Sequence, residues 1–87
     1  MTGGDAQAER AILELLDQRR PGSSICPSEA ARRLSAEDWR SRMPDVHAAV
    51  RSLASRGEVW VKQAGRVVDS DEMRGPIRIA RRRRGST

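Results

Sequence analysis

Residues 44–62 decide the fold, and they read PDVHAAVRSLASRGEVWVK. Apolar side chains at positions 46, 49, 50, 53 and 54 have the spacing that forms one face of an α-helix. Pro44 suits the first helical position, and Gly57 suits the left-handed residue just past a helix end. Residues 58–62 then alternate with period two. This stretch therefore predicts a helix that begins at Pro44 and leads directly into a β-strand.

The residues before this stretch predict two more helices. From Asp5, an apolar stripe at positions 8, 12, 15 and 16 predicts a first helix that ends near Arg19 or Arg20, before Pro21 and Gly22. Residues 23–26 precede a proline and are expected to be extended, and residues 27–34 form a second helix that opens on that proline. Residues 35–38 resemble a helix cap, so we expect one short turn that brings Trp39 to the core.

The residues after the stretch predict a small hairpin. Val67 and Val68 pair briefly, residues 70–75 form a polar loop, and residues 76–79 alternate as a closing strand. The resulting order of elements is typical of a winged helix, an α+β helix-turn-helix variant with three main helices plus a small antiparallel β-hairpin wing. We expect a flexible leader (residues 1–4), one domain (residues 5–80) and a disordered basic tail (residues 81–87).

Composition narrows the classes of protein further. A chain of 87 residues with 2% aromatic residues must build one compact core from aliphatic side chains. The single cysteine excludes an internal disulfide and points to a reducing, cytoplasmic location. No apolar run approaches the roughly 20 residues of a membrane span, so we expect no membrane partner.

The net charge of +5 comes from one end of the chain. Residues 78–87 hold five arginines and no acid, which leaves 12 basic and 12 acidic residues in positions 1–77. The basic run Arg81, Arg82, Arg83 and Arg84 would neutralise phosphates non-specifically. It could equally be a solubilising tail, or could attract acidic proteins or anionic lipid surfaces.

Several short segments resemble one family. Residues 25–29 (ICPSE), 39–40 (WR), 43–44 (MP), 65–66 (GR) with Asp69, and 74–78 (RGPIR) together resemble the bacterial domain-of-unknown-function 3253 family, from about Ala11 to Ile79. The resemblance implies a small winged-helix-like domain and assigns no catalytic or binding residues. The segment from residue 35 to residue 43 is longer than the tight turn of an ordinary helix-turn-helix.

The polar face of the third helix is the candidate reader of DNA. Arg51, Ser52 and Ser55 lie opposite the apolar stripe, with His47 on its flank. They could contact base edges in a groove, while Arg40 and Arg42, just before the helix, could contact phosphate. The alternative is an ordinary solvated face.

The predicted wing and Trp60 each allow two interpretations. Arg66 at the hairpin tip could contact DNA, but Asp69, Asp71 and Glu72 follow it, and we favour ion pairs of Arg66 and Arg74 with these acids. Trp60 faces opposite to Val59 and Val61, so either the valines or the tryptophan lie inside. An exposed Trp60 could contact nucleic acid or protein; we expect it to be at least half buried.

The sequence carries no sign of catalysis. Cys26 is expected to be a small core residue, and His47 lies on an exposed helix face, so the two do not form a nucleophile and its base. A lone histidine and a lone cysteine cannot supply a structural zinc site, and no phosphate-binding loop is present. We therefore expect no enzyme activity, cofactor, metal or small-molecule substrate. The favoured partner is double-stranded DNA, and the alternative is a protein–protein interaction module.

Overall fold

The computed structural model describes residues 3–20, 22–69, 73 and 75–82, and within them the chain forms three α-helices, a 3₁₀-helix and one four-stranded sheet. The helices are α1 (Gly3–Asp17), α2 (Pro27–Leu34), the 3₁₀-helix (Trp39–Arg42) and α3 (Met43–Ser55). The strands are β1 (Ser24–Ile25), β2 (Val59–Gln63), β3 (Arg66–Val68) and β4 (Arg78–Arg81). The α+β class predicted from the sequence is confirmed.

The sheet is antiparallel, with strand order β1-β4-β2-β3. Ile79 of β4 lies between Ile25 of β1 and Val61 of β2, and Val61 pairs in turn with Val68 of β3. The predicted hairpin is therefore part of a larger sheet, because β1 joins it through β4. This arrangement is compatible with a winged helix.

The core lies between the helices and one face of the sheet. The apolar stripe of α3 is buried as predicted at Val46, Ala49, Val50 and Leu53, while Ala54 is partly buried. The other buried side chains come from α1 and α2 (Ala8, Ala11, Ile12, Leu16, Pro27, Ala30, Ala31) and from the β1–β4 part of the chain (Ile25, Val59, Val61, Ile77, Ile79, Ala80). Gly57 has φ +75° directly after α3, which confirms its predicted role at the helix end.

Several predicted boundaries are shifted. Helix α1 begins at Gly3, so it includes two residues of the expected leader, and residues 1–2 lie outside the described residues. It ends at Asp17: the Gln18 N–H still donates to the Glu14 carbonyl at 3.1 Å, but the Arg19 N–H donates to the Leu16 carbonyl at 3.2 Å, which tightens the last turn. At the other end, Arg81 belongs to β4 rather than to a tail, because it pairs with Val59.

The turn before α3 forms as its sequence predicts. The Asp38 amide donates to Ser35 Oγ at 3.1 Å, and the 3₁₀-helix begins at Trp39. Trp39 packs partly against the core, and the guanidinium groups of Arg32 and Arg40 each lie 4.6 Å from the centre of its ring. This 3₁₀-helix runs directly into α3, which begins at Met43, one residue before the predicted start.

The prediction that Cys26 belongs to the core is wrong. Ile25 takes the buried position in β1, and Cys26 becomes the residue that caps α2, where its side chain is only half buried. Its Sγ lies 2.8 Å from Nη1 of Arg78, and its backbone N–H donates to Glu29 Oε2 at 2.9 Å. The thiol therefore meets a charged side chain rather than apolar carbon.

Candidate nucleic-acid interface

An open groove of about 750 Å³ runs between α3 and the β2–β3 hairpin. Arg51, Ser52 and Ser55 of α3 line one side, and Trp60, Val67, Asp69 and Arg82 are among the residues on the other. β3 pairs only with residues 61–63 of β2, and Val59 and Trp60, at the beginning of β2, line the groove together with α3. The groove thus brings together four of the predicted DNA contacts, namely Arg51, Ser52 and Ser55 on α3 and Arg82 after β4.

Arg51 and Ser55 are the α3 side chains best placed for a ligand, because both are exposed. Ser52 is less available, since its Oγ accepts a hydrogen bond from Nη1 of Arg56 at 3.1 Å. Arg56 also forms an ion pair with Glu9 of α1 at 2.8 Å. Hydrogen bonding from Arg56, aided by Ser52 and by the arginine's charge, lowers the pKa of Glu9 against the opposing effect of burial. Ser52 therefore helps to hold α3 against α1.

His47 adds no positive charge to this surface at neutral pH. Its side chain is half buried, and burial is the main reason that its pKa lies below the usual 6.5. The nearby charge of Arg51 lowers the pKa of His47 further. A neutral imidazole can still accept or donate a hydrogen bond, but it does not attract phosphate as a cation would.

Arg40 and Arg42 lie at the opposite end of α3, before its first turn. The rise of an α-helix places residue 42 about 13 Å from residue 51 along the axis. Arg40 is exposed beside Trp39, whereas Arg42 is half buried and donates to Gln7 Oε1 at 3.4 Å. The structure therefore separates these two predicted phosphate contacts from the groove.

The remaining predicted contacts are divided among three places. Arg66 is exposed at the start of β3, and Arg81 lies 3.6 Å from Glu58 in an ion pair. Arg82 places its guanidinium 4.2 Å from the ring centre of Trp60. Arg83 and Arg84 lie outside the described residues, as do Asp71, Glu72 and Arg74, so the predicted ion pairs in that loop stay a prediction.

Trp60 and Val67 are the exposed large apolar residues of the groove, and the predicted site included neither. Val59 and Val61 are buried, so Trp60 lies on the outer face of the sheet rather than in the core, and 37% of it is exposed. More than half of the ring is covered, as expected, but partly by Arg82 on the surface rather than by the core. Val67 is 51% exposed beside it. The period-two alternation of β2 placed Trp60 opposite Val59 and Val61 but did not decide which face lies inside.

Two general features of the described residues bear on chemistry and location. Within residues 3–20, 22–69, 73 and 75–82, no three His, Cys, Asp or Glu side chains come together in a way that could hold a metal ion. In the same part of the chain, every helix is too short or too polar to cross a membrane.

Comparison with known protein families gives a match over most of the chain. No match was found among the curated proteins. The family model DUF3253, described as a protein of unknown function, matches residues 5–82. The matched part includes all but the first two residues of α1, all the other helices and strands, and the whole groove. The chain therefore belongs to the DUF3253 family.

Proposed function

We propose that the protein is a cytoplasmic winged-helix module that binds duplex DNA, with α3 in the major groove and the β2–β3 hairpin beside it. The observation that carries the proposal is the groove, which brings Arg51 and Ser55 of α3 together with Arg82. The major groove, about 12 Å wide, admits an α-helix. The short side chains Ala48 and Ser55 allow such a close approach.

Charge supports contact with phosphate along the groove and the hairpin. Arg51 and Arg82 line the groove and Arg66 is exposed on β3, while Arg40 and Arg42 lie at the other end of α3 and would contact a more distant phosphate. Against these cations stand Asp45 in the first turn of α3 and Asp69 in the groove. Arg83 and Arg84 follow in sequence and add two more positive charges. An excess of cations of this size favours binding that weakens steeply with salt.

A protein–protein interaction module without a nucleic-acid role is the second candidate. Its support is the exposed apolar surface of Val67 and Trp60, together with the balanced charge of residues 1–77. In either case the proposed role is binding, and no catalytic activity is proposed.

The experiment is fluorescence anisotropy with a labelled mixed-sequence duplex, over a salt series from about 50 to 200 mM. Arg51→Ala is compared with Arg10→Ala, which removes the same charge from an exposed position on α1. We expect Arg51→Ala to weaken binding about 5-fold or more and to reduce the salt slope by about one. Arg10→Ala should leave both quantities nearly unchanged.

Replacing Arg83 and Arg84 together by alanine tests the contribution of the basic run without shortening β4. We expect a smaller salt slope with the effect of Arg51→Ala retained. The absence of duplex binding at low salt, or equal losses in Arg51→Ala and Arg10→Ala, would refute the DNA proposal. The protein-interaction candidate would then take its place.

A further inference from the structure

The outer face of the sheet carries an aromatic side chain among cations. Strand alternation places Trp60 and Lys62 of β2 on the face opposite the buried valines. The register sets Lys62 beside Arg78 and Trp60 beside Ala80, and Arg82 continues the outward row of β4. These residues, Trp60, Lys62, Arg78, Ala80 and Arg82, are called the outer-face cluster below. Trp60 and Arg82 also border the groove, so the cluster adjoins the polar side of α3 there, whereas Lys62 and Arg78 do not line the groove.

The positive charge of the cluster is only partly balanced by acids. The hydrogen bonds of Arg78 are to neutral groups: Ser24 Oγ at 2.9 Å, the Ser24 carbonyl at 2.9 Å and Cys26 Sγ at 2.8 Å. These bonds fix the position of its guanidinium, and the carboxylate of Glu29 lies close enough to interact with its charge. At the rim of the face, Glu58 is already paired with Arg81. Asp69 is a further acid, which borders Trp60 in the groove.

We propose that this outer-face cluster binds single-stranded nucleic acid, with one base stacked on Trp60 and the backbone phosphates held by Lys62, Arg78 and Arg82. An exposed aromatic ring beside basic side chains on a sheet is what a strand with unpaired bases requires. A duplex keeps its bases stacked on one another and offers such a ring no base face. The face therefore prefers an unpaired strand.

Arg82 links the stacking of a base on Trp60 to the binding of the adjoining phosphate. Its guanidinium lies 4.2 Å from the centre of the Trp60 ring, and its backbone N–H donates to the Glu58 carbonyl at 3.0 Å. At an exposed site a cation–π contact is weaker than the stacking of a base on an aromatic ring. A base therefore displaces the guanidinium, which stays tethered next to the ring and becomes free to bind the adjoining phosphate.

The test uses the full chain and an oligothymidine of about 10 nucleotides, within the roughly 4–16 that one small β domain covers. Binding is followed by quenching of tryptophan fluorescence and by anisotropy of the labelled strand. Trp60→Leu removes the ring and Trp60→Phe keeps a smaller one. Because Trp60 lies outside the core, both variants should fold, and circular dichroism checks this.

We expect Trp60→Leu to weaken oligothymidine binding about 5- to 150-fold, the loss of one stacked base. Trp60→Phe should retain most of the affinity. The quenching should disappear in Trp60→Leu, whose remaining signal comes from Trp39. Lys62→Glu is a second variant that does not alter the ring, and it should weaken binding through charge alone.

Three results would overturn the proposal. They are no binding of oligothymidine at low salt, unchanged affinity in Trp60→Leu, and equal losses by that variant for oligothymidine and for a duplex of the same length. The proposal does not rest on duplex binding by α3. Binding of oligothymidine without binding of duplex would refute the DNA proposal above and support this one.

Discussion

Replacing Leu53 by alanine tests whether α3 buries the face that its sequence predicts. Leu53 is 0% exposed and lies in the core cluster near the end of α3. Cutting its side chain back to a methyl removes three carbon groups, which at about 0.8 kcal/mol each gives about 2.4 kcal/mol. The cavity left behind raises the expected loss to as much as about 5 kcal/mol. A domain of 87 residues has only about 4–13 kcal/mol to lose.

The assay is urea unfolding followed by far-ultraviolet circular dichroism, in which a lower midpoint with an unchanged slope reports lost stability. Ser55→Ala is the matched control, because Ser55 is exposed on the same helix. It should change the free energy of unfolding by less than about 0.5 kcal/mol. If Leu53→Ala cost less than about 1 kcal/mol, or no more than the control, the burial of this face of α3 would be refuted.

Three further predictions concern backbone strain and titration. Gly57 has φ +75°, and a Cβ added there would meet only Nη1 of the Arg82 side chain, at 3.8 Å, so there is no clash. The backbone strain alone should therefore make Gly57→Val about 1–2 kcal/mol less stable than Gly57→Asn in urea unfolding. Equal stability of the two variants would argue against a left-handed residue there. The pKa of the Glu9 carboxyl is lower in the folded chain than its value near 4.5 in the unfolded chain. The ionised carboxylate therefore stabilises the fold at any pH above 4.5, and this stabilisation is lost as the pH falls through the pKa of the folded state. Glu9→Gln should therefore show a smaller drop in urea midpoint between pH 7 and about pH 3 than the parent chain, and an identical drop would contradict the contact with Arg56. Removing the charge in Arg51→Ala should raise the pKa of His47, measured by proton NMR, while burial still keeps it below 6.5; no change would place Arg51 away from the imidazole.

The helices could be predicted from the sequence because their signals are local. In α3 the apolar spacing selects one face, and Pro44 and Gly57 mark its ends, so start and end came within a residue or two. The end of α1 was harder to predict. Arg19, expected near the helix end, lies beyond it and forms an ion pair with Glu29 of α2. That ion pair joins residues in different helices, so no local sequence pattern predicts it.

The outward side of the sheet could not be predicted because alternation gives two faces without saying which is inside. In β2 the choice is settled by the neighbouring strand: Ile79 lies beside Val61 and extends the buried face. That pairing depends on strands separated by the hairpin and the polar loop. The contact of Arg82 with Trp60 could not be predicted for the same reason, because it depends on the register between β4 and β2.

The position of β4 in the sheet has a consequence for the order of events during synthesis. Of the four strands of the sheet β4 is made after the other three, yet it lies between β1 and β2, and it pairs Ile79 with Ile25 across 54 residues of chain. The three helices can form and begin to pack earlier, because their contacts are more local. Until residues 78–81 arrive, β1 and the adjoining edge of β2 lack their partner strand, and such edges invite aggregation. Any nascent or cleaved chain without β4 thus presents unpaired strand edges, and the pairing of β4 with β1 and β2 covers both of them.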